Sequence, residues 1–511
     1  MDDVTVDQGA DNSAAHAVPL HCSSLPTSFD PAIGRILVTG ASGYIGGRLV
    51  PELMARGYKV RIMIRSFSPE YAGRWPGAEV VVADVLSKDQ VTKALEGVDT
   101  AYYLVHSLVL GPKEFAAADI EGARNFREAA EAMGIRRIIY LGGLGDVRNN
   151  LSPHLHSRAQ VAGDLQKGRV PVTVLRAAVI VGSGSASYEI IQHLVKKLHF
   201  FFIPPWAKNR CQPIAVRDVV KYLVGVLEHP AAAGQSFDIG GPDILTYEGM
   251  LKVLAEILNK KVVFIAVPFA NIHFYAYITS LITPIPDPIT ECLMGSLNNE
   301  VVCQNEKIRE LLPFKNVTYR EAIVLAMTRE EQDTVYTRWS DAYPPAHELA
   351  LKLKELGEGP TFVASYSLLT SKSAASLFRS FCRIGGRKGW FYGNWMWRLR
   401  GIIDRVFLGV GDARGRKKYA GLNINDVIDF WRVEDIQDDK TLLLRAEMKI
   451  PGRAWLEFNI TELGTKRVLN TTAYYDTQTF LGGAYWYACL PFHYFIFRNL
   501  IKQIEDKALV P

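Results

Sequence analysis

Cysteine is scarce in this 511-residue chain, and none of its six cysteines belongs to a Cys-x-x-Cys pair. A disulfide framework or a zinc ribbon is therefore not expected. The first thirty residues include Asp2, Asp3, Asp7 and Asp11 but no lysine or arginine. They lack the basic start of a secretory signal and the arginines of a transit peptide. These absences predict a cytoplasmic protein without a metal, in which residues 1–32 form a disordered tail.

Charged residues make up 22% of the chain and hydrophobic residues 48%, which is a globular rather than a disordered composition. A chain of this length is expected to divide into two or three domains. The net charge of +5 is unevenly distributed, because residues 360–511 contain 22 Lys and Arg against 14 Asp and Glu. Within Arg379–Lys418 the count is 11 basic against 2 acidic residues. This concentration of positive charge predicts a surface that faces an anionic partner.

Short β-branched runs alternate with amphipathic stretches across residues 33–330. The predicted strands are Arg35–Thr39, Lys59–Ile64, Val80–Val82, Ala101–Val105, Arg137–Leu141 and Val172–Leu175. Strands that alternate with helices form a parallel sheet with helices on both faces. We therefore expect an α/β, doubly wound Rossmann domain with a small subdomain on the substrate side. A turn at Phe237–Pro242 is expected to end the series.

A second domain is predicted over residues 360–511. Its expected strands are Asp429–Val433, Thr441–Ile450, Ala454–Ile460 and Arg467–Tyr475, separated by polar turns. Successive strands with short turns predict an α+β domain with an antiparallel sheet. Residues 477–497 are uncharged and aromatic but include Gly482, Gly483 and Pro491. This stretch is compatible with a core helix, with an interfacial segment and with a membrane-spanning helix, in that order of preference.

The segment Thr39-Gly-Ala-Ser-Gly-Tyr-Ile-Gly46 follows the first strand directly and opens a helix. Gly40 permits a tight turn, Gly43 lets a pyrophosphate approach the backbone, and Gly46 allows the helix to pack closely on the strand. The N-terminus of the helix offers N–H groups to the phosphates. The residues predicted to bind the dinucleotide here are Gly40, Ser42, Gly43, Tyr44, Ile45 and Gly46.

The residue after the second strand selects the cofactor. A carboxylate there binds the ribose 2′-hydroxyl, whereas a basic residue accommodates a 2′-phosphate. This chain has Arg65, which favours NADP(H) over NAD(H), although a solvated arginine at a strand end is the alternative. Whether Arg61 contributes is left open. After the third strand, Asp84 and Val85 are expected at the cofactor, while Asp84 could equally cap the next helix.

These motifs, with Asp119–Asn125 and Leu175–Arg176, resemble the atypical short-chain dehydrogenases/reductases of the NmrA-like branch. The resemblance covers about Arg35–Pro313. It implies a Rossmann fold, a bound nicotinamide dinucleotide and oxidoreductase chemistry. His106 is expected at the cofactor and His156 within reach of the site, although each is compatible with a loop or capping role.

The C-terminal part resembles an uncharacterised domain that is fused to such reductases in bacteria. The residues that carry the resemblance are Gly389–Arg400, Asp429–Val433 and Pro451–Phe458. That domain is similar to the helix-grip, START-like fold, which typically encloses apolar ligands. A helix-grip-like domain is therefore expected.

The chain departs from the family where the chemistry is decided. Active members carry a tyrosine and a lysine four residues apart, and His154 and Arg158 occupy these positions here. The serine of the family falls near Gly142 and Gly143, which have no hydroxyl. Histidine donates a proton near neutral pH, and an arginine could hold the ribose hydroxyls. We therefore expect His154 and Arg158 to be catalytic, with a non-catalytic site as the alternative.

Tryptophans alternate with basic residues at Arg387–Trp390, Trp395–Arg398 and Arg414–Lys418. This pattern favours an anionic membrane surface over nucleic acid, with a solvated face beside a tryptophan-rich core as the alternative. The sequence thus predicts an NADP(H)-dependent reductase of a hydrophobic, lipid- or quinone-like substrate, cytoplasmic or peripheral on the cytoplasmic face of the inner membrane. The alternative is a non-catalytic redox sensor, scaffold or assembly protein at the membrane surface.

Overall fold

A computed structural model describes most of the chain. The described residues are 20–65, 74–106, 115–145, 150–331, 337–339, 353, 356, 359–386, 389–407, 409, 411, 416, 422, 424 and 426–508.

The first domain contains thirteen described strands. They are β1 (Arg35–Thr39), β2 (Lys59–Ile64), β3 (Glu79–Val82), β4 (Thr100–Tyr103), β5 (Arg137–Gly143), β6 (Val172–Ala177), β7 (Ile180–Val181), β8 (Phe200–Ile203), β9 (Arg210–Cys211), β10 (Ile214–Ala215), β11 (Ser236–Ile239), β12 (Leu245–Thr246) and β13 (Val263–Ala266). Its α-helices are Gly46–Ala55, Lys88–Leu95, Phe115–Ala132, Pro153–Gln166, Ala186–Lys197, Val216–Glu228, Tyr247–Ile257, Ile272–Ile282, Asp287–Gly295, Lys307–Leu311 and Tyr319–Glu331.

Seven of these strands form one parallel sheet in the order β11-β6-β5-β4-β1-β2-β3. The winding direction of the chain reverses between β1 and β4, which pair directly. Crevices at the carboxyl ends of the strands at such a reversal are where ligands bind in open α/β sheets. The predicted doubly wound Rossmann domain is therefore confirmed.

The central strands are buried because helices cover both faces of the sheet. On one face, helices Gly46–Ala55 and Val216–Glu228 pack against the strands. On the other face lie Lys88–Leu95, Phe115–Ala132 and Pro153–Gln166. In β1, Ile36, Leu37 and Val38 are consequently all inaccessible to solvent. A continuous apolar run, rather than an alternating one, is the sequence pattern of such a strand.

Two expectations for this domain need correction. The predicted turn at Phe237–Pro242 is wrong at its start, because Ser236–Ile239 forms the edge strand β11 beside β6. The expected tail is also too long, since Cys22 is fully buried and its amide donates to the Glu52 carboxylate at 3.1 Å. Residues 1–19 of that tail lie outside the described residues. Both differences depend on contacts between segments distant in the sequence.

The second domain is built on a six-stranded antiparallel sheet in the order β14-β19-β18-β17-β16-β15. Its strands are β14 (Phe362–Thr370), β15 (Val427–Ile428), β16 (Trp431–Gln437), β17 (Thr441–Ala446), β18 (Arg453–Leu463) and β19 (Lys466–Asp476), and its helices are Ala374–Phe381, Asn394–Val406 and Phe480–Asp506. The antiparallel α+β domain is confirmed, although the sequence reasoning missed β14. The relation to the helix-grip fold stays a prediction.

Helix Phe480–Asp506 continues without a break through Pro491. One face packs into the domain core with Trp486, Phe497 and Leu500, while the other face exposes aromatic side chains. Among the described residues, no helix has both the length and the apolarity to cross a membrane. One face of the helix therefore covers a core, and a contact of the exposed aromatic face with a membrane interface stays a prediction.

The tryptophan-rich segment serves largely as core. Trp390 and Trp397 are buried and stack with ring centroids 4.6 Å apart, and the Trp390 indole donates to Asp429 at 2.8 Å. Trp395 is exposed. Of the expected basic surface, Arg387, Lys388, Arg414, Lys417 and Lys418 lie outside the described residues.

Arg405 joins the two domains. Its guanidinium is buried, and Nη1 donates to the carbonyls of Ser280 and Leu281, each at 2.9 Å, and to that of Thr283. These carbonyls belong to the last turn of helix Ile272–Ile282 and the residue after it, where a cation is favourable. One positive charge of the basic segment is therefore buried in the contact between the two domains.

Replacing Gly46 by alanine should destabilise the first domain. A Cβ there would lie 2.3 Å from the Gly40 carbonyl oxygen, so the backbone would have to move. We expect the free energy of unfolding in urea to fall by about 1–3 kcal/mol. Gly163→Ala is the matched control, because a Cβ there meets no described atom within 4 Å and should add about 0.5–1 kcal/mol. Equal stability of Gly46→Ala and wild type would contradict this packing argument.

Acid should weaken the second domain through His493. Burial against Trp486 and Phe497 lowers the pKa of His493 from 6.5 to about 4. The unfolded chain therefore binds this proton first, and the free energy of unfolding falls as the pH drops from 6.5 toward 4. The slope due to this group is at most about 1.4 kcal/mol per pH unit. His493→Gln should flatten the decline in urea titrations, whereas exposed His156→Gln should follow wild type.

Candidate active site

The glycine turn between β1 and the first helix has no room for larger residues. Gly40 has a φ of +63°, and a Cβ there would lie 2.7 Å from the Leu104 carbonyl oxygen. The Gly43 amide donates to the Gly40 carbonyl at 3.0 Å, which closes the turn. Helix Gly46–Ala55 then begins with its N–H groups at the carboxyl end of β1. The fold thus brings the residues predicted to bind the dinucleotide together at the sheet reversal. They are Gly40, Ser42, Gly43, Tyr44, Ile45 and Gly46.

The two arginines of β2 have different environments. Arg65 follows the strand and is exposed, beside the end at which the glycine turn lies. Arg61 points away from that end: its guanidinium donates to the Ala94 and Glu96 carbonyls at 2.7 Å and pairs with Glu79 at 2.8 Å. Arg61 is therefore a structural residue, and a contact of Arg65 with a 2′-phosphate stays a prediction.

Asp84 and Val85 follow β3. The Asp84 carboxylate accepts from the Leu86 amide at 3.0 Å, and the Val85 carbonyl accepts from Asn125 at 3.1 Å. Asp84 thus stabilises the turn before helix Lys88–Leu95, which is the alternative role that the sequence left open. A contact with the adenine stays a prediction.

A cavity of about 520 Å³ extends from the glycine turn past the carboxyl ends of β4, β5 and β6. Tyr44 and Ile45 of the turn belong to its wall, and aliphatic and aromatic residues of helices Ala186–Lys197 and Ile272–Ile282 form much of the rest. His106, His154 and Ser296 are polar residues of the same wall. The cavity can therefore surround an apolar molecule next to the expected dinucleotide.

The polar residues of this wall form one chain of hydrogen bonds. His106 Nδ1 lies 2.9 Å from Asp119 Oδ2, and His106 Nε2 lies 3.2 Å from His154 Nε2. His154 Nδ1 lies 3.0 Å from Ser296 Oγ. The two imidazole rings stack with centroids 5.2 Å apart. Asp119 lies on helix Phe115–Ala132 and His154 on helix Pro153–Gln166, while His106 follows β4.

The order of these contacts assigns the protons. An ionised Asp119 only accepts, so His106 donates from Nδ1 and its Nε2 is left to accept. His154 then donates from Nε2 to His106, and its Nδ1 is left to accept from the Ser296 hydroxyl. That hydroxyl also has the Cys292 carbonyl as an acceptor at 3.2 Å and Ser152 Oγ at 3.2 Å. Such a chain can carry one proton between Ser296 at the cavity and the carboxylate behind it.

The surroundings of both histidines favour the neutral imidazole. Burial lowers the pKa of His154 well below 6.5, and the neighbouring His106 and Arg158 lower it further. Burial also lowers the pKa of His106, and the Asp119 carboxylate only partly offsets this. A proton placed on this pair is therefore held weakly and is readily given to a developing oxyanion.

Arg158 contacts the backbone at the strand ends. Its Nη2 donates to the Leu141 carbonyl at 2.7 Å, Nη1 lies 3.9 Å from the Asp119 carboxylate, and its guanidinium carbon lies 4.9 Å from the centroid of the Tyr140 ring. In this position it ties β5 to helix Pro153–Gln166 and supplies positive charge behind the histidines. A contact with ribose hydroxyls stays a prediction.

The structure also explains the missing serine of the family. A Cβ at Gly142 would lie 2.9 Å from the Tyr140 ring, and a Cβ at Gly143 would lie 3.0 Å from Leu155. A side chain at either position would require the Tyr140 ring or the Leu155 side chain to shift. Ser296, from a short 3₁₀ helix far along the chain, brings a hydroxyl to His154 instead.

Three residues of the site were not found from the sequence as site residues. Asp119 was noted only within a family motif, Ser296 had no signal, and Trp339 was placed beyond the domain. Trp339 lines the cavity, and its amide donates to the Gly184 carbonyl at 2.8 Å. For Asp119 the sequence did offer a signal. It is an acidic residue on the helix that follows β4, and His106 precedes the same helix.

Relatives with similar sequences include oxidoreductases and an assembly factor. The chain is 33% identical over 117 residues to a 3-beta-hydroxysteroid dehydrogenase of Mycolicibacterium neoaurum, covering 21% of this chain and 31% of the relative. It is 23% identical over 208 residues to the photosystem II assembly factor Ycf39 of Trieres chinensis, covering 40% and 63%. It is 24% identical over 259 residues to the chloroplastic divinyl chlorophyllide a 8-vinyl-reductase of Arabidopsis thaliana, covering 47% and 61%. The chain thus spans less than two thirds of each of these relatives.

Solved structures with similar folds include sugar-nucleotide enzymes. A nucleoside-diphosphate-sugar epimerase of Staphylococcus aureus has a TM-score of 0.47 at 16% identity, covering 57% of this chain and 99% of the other. The Bordetella bronchiseptica enzyme WbmG, solved in complex with NAD and UDP, has a TM-score of 0.48 at 15% identity, covering 61% and 98%.

Two family models match successive parts of the chain. The model of a protein of unknown function, DUF2867, matches residues 357–500, which correspond to the second domain. The NmrA-like family model matches residues 33–310, more than half of the chain, and includes the glycine turn and the histidine pair. The chain therefore belongs to the NmrA-like family of NAD(P)-binding proteins, as an atypical short-chain dehydrogenase/reductase domain fused to a C-terminal DUF2867 domain.

Proposed function

We propose that this chain is an NADP(H)-dependent reductase of a hydrophobic substrate. The observation that carries the proposal is the 520 Å³ apolar cavity, which joins the glycine turn to the histidine pair. The turn would offer the N–H groups of the first helix to a pyrophosphate, and the cavity extends from the turn along the strand ends. A bound dinucleotide would supply the hydride for the reaction.

The apolar wall supports a hydrophobic class of substrate. Ile190 and Leu194 face the cavity from one helix, and Ile278 and Ile282 from another, so a charged substrate would lose its hydration without compensation. A lipid- or quinone-like molecule with a single reducible polar group fits this wall. That group would lie against Ser296 and His154, where it can accept a hydrogen bond.

The histidine pair would supply the proton of the reduction. Hydride addition to a carbonyl leaves an oxyanion, which needs one proton to become an alcohol. The proton would pass from protonated His154 through the Ser296 hydroxyl, and a proton from water would then restore the pair. Asp119 stabilises the positive charge while the pair carries it.

Related proteins support oxidoreductase chemistry in this fold. A steroid dehydrogenase and a vinyl-reductase are among the relatives, and their names describe the oxidation or reduction of largely apolar molecules. These relatives share only part of their length with this chain. The substrate of this protein is therefore proposed from the cavity, and the relatives support the type of reaction.

One observation favours a non-catalytic NADP(H) sensor. Arg158, in the position of the family lysine, donates to the Leu141 carbonyl at 2.7 Å and lies 3.9 Å from the Asp119 carboxylate, so part of its guanidinium is already engaged within the protein. A protein that binds the dinucleotide without turning it over would tolerate this arrangement. Single-turnover NADPH oxidation with apolar carbonyl compounds separates the two functions.

His154→Gln should abolish reduction and spare cofactor binding. Loss of a proton donor typically costs 10²–10⁴-fold in rate, so we expect kcat to fall by at least about 100-fold. The dissociation constant for NADPH, measured by fluorescence, should stay within about twofold because His154 lies beyond the glycine turn.

In wild type, kcat/KM for reduction should rise as the pH is lowered from about 8 toward 6.5, because protonated His154 becomes more populated.

His156→Gln is the matched control for this experiment. It removes an imidazole from the same helix two residues away, on the exposed side. Its turnover and pH profile should equal those of wild type. Undiminished turnover by His154→Gln would remove His154 from the mechanism. NADPH binding without oxidation of any apolar carbonyl compound would favour the sensor.

Arg65→Ala should weaken NADPH binding selectively. A charge-assisted hydrogen bond to the 2′-phosphate contributes about 1.5–3 kcal/mol, so the dissociation constant for NADPH should rise about tenfold or more. The value for NADH should hardly change, because NADH has no 2′-phosphate. Calorimetric titration with both dinucleotides measures the ratio.

Lys59→Ala controls for the general effect of losing a positive charge. Lys59 is exposed at the start of β2, whereas Arg65 follows the end of that strand. This variant should bind both dinucleotides as wild type does. If Arg65→Ala weakened NADPH and NADH equally, selection by Arg65 would be disproved.

A further inference from the structure

A two-stranded parallel ribbon formed by β8 and β13 has an apolar outer face beside the cavity. Phe200 pairs with Val263 and Phe202 with Ile265. These four side chains are 59%, 51%, 58% and 39% exposed, respectively. The inner face is packed, since the Phe201 and Phe264 rings stack there with centroids 5.4 Å apart. The ribbon therefore presents large apolar groups to solvent, which a soluble surface rarely does in one patch.

The same apolar surface continues to the opening of the cavity. Phe200 and Phe202 are exposed and also line the cavity, so they stand at its opening. Phe269 and Phe274 are half exposed, with ring centroids 5.3 Å apart. Phe274 in turn contacts Tyr275, a cavity residue. We call this surface the mouth face; it consists of Phe200, Phe202, Val263, Ile265, Phe269 and Phe274.

Positive charge surrounds the mouth face. No Asp or Glu occurs in residues 190–217 or 257–286, the two segments that supply this face. Lys260 Nζ donates to the Val195 and Lys196 carbonyls at 2.9 and 2.7 Å, and Lys197 Nζ donates to the Ile282 carbonyl at 2.6 Å. These lysines therefore gather where helix Ala186–Lys197 leads into β8. Exposed Lys261 lies two residues before β13.

Acidic residues of the adjoining helices have partners of their own. Glu248 pairs with Lys252 at 2.6 Å. Glu256, close to Lys260 in the sequence, pairs with Arg320. Glu291 pairs with His273 at 2.7 Å. The surroundings of the mouth face are therefore net positive, and their complement is an anionic surface.

We propose that the mouth face docks on an anionic lipid bilayer and that the cavity opens to the acyl chains. Aromatic and aliphatic groups would enter the interfacial layer, while the lysines would meet anionic headgroups. A folded protein seated on this face would close the cavity, whereas a fluid bilayer can supply apolar molecules to it. The passage of substrate from the bilayer rests on the proposed function; the docking does not.

Vesicle co-sedimentation without dinucleotide or substrate tests the docking. Wild type should bind vesicles of phosphatidylcholine mixed with phosphatidylglycerol, and should bind pure phosphatidylcholine much more weakly. The double variant Val263→Ser, Ile265→Ser should bind the mixed vesicles about tenfold more weakly, because two apolar contacts are lost. Neither residue belongs to the cavity wall.

The matched control is Val363→Ser, Leu369→Ser. These side chains are 55% and 53% exposed on β14 of the second domain, so the same chemistry is removed from another strand. This variant should bind vesicles as wild type does. A second test is Lys196→Glu, Lys261→Glu, which should abolish the preference for phosphatidylglycerol without removing an apolar contact.

The proposal fails if wild type does not bind mixed vesicles, or if the Val263→Ser, Ile265→Ser variant binds them as tightly as wild type. A wild-type dimer that this variant converts to a monomer, without vesicle binding, would make the mouth face a contact between two copies. Calorimetry with NADPH and turnover of a detergent-solubilised substrate test the proposed function separately. Vesicle binding without turnover would leave the docking intact, and turnover without vesicle binding would overturn only the docking.

Discussion

Burial of the Asp119 carboxylate is the constraint on which the active-site wall depends. Asp119 is 3% exposed, and a carboxylate removed from water must be compensated by hydrogen bonds and positive charge. His106 and Arg158 supply this compensation at 2.9 and 3.9 Å. His106 is then oriented toward His154, and Arg158 toward the Leu141 carbonyl. One buried charge thereby aligns the segment after β4, the end of β5 and two helices.

The polar chain and the apolar cavity depend on each other. The cavity wall removes water from His154 and lowers its pKa, so a proton on it is poorly held and easily transferred. The hydrogen-bonded side chains in turn give a largely apolar wall a place to bind one polar group of a substrate. The glycine turn lies at the same sheet reversal, so cofactor and substrate would meet over the strand ends. The proposed docking of the basic, apolar mouth face would extend this arrangement toward a membrane.

Much of the fold was predictable because its signals are local. Buried parallel strands are continuous apolar runs, and β1 and β2 were located to the residue. Strand β11 was mistaken for a turn because it has only four residues and is followed directly by Gly240 and Gly241. Only its pairing with β6 makes this segment a strand. Strand β14 was missed because its outward residues include Val363 and Leu369, which obscure the alternation of a half-buried strand.

The sequence by itself determined the glycine turn, the order of the Rossmann elements, the place of Arg65 and the substitution of His154 for the family tyrosine. These are matters of residue type and short spacing, which act within a few residues of the chain. Only the tertiary structure decided that His154 meets His106 and Ser296, that Arg158 binds the backbone, and that β8 and β13 expose one apolar face. Such contacts join residues up to 142 positions apart. They form because burial of the whole domain brings the segments together, and no local pattern encodes that proximity.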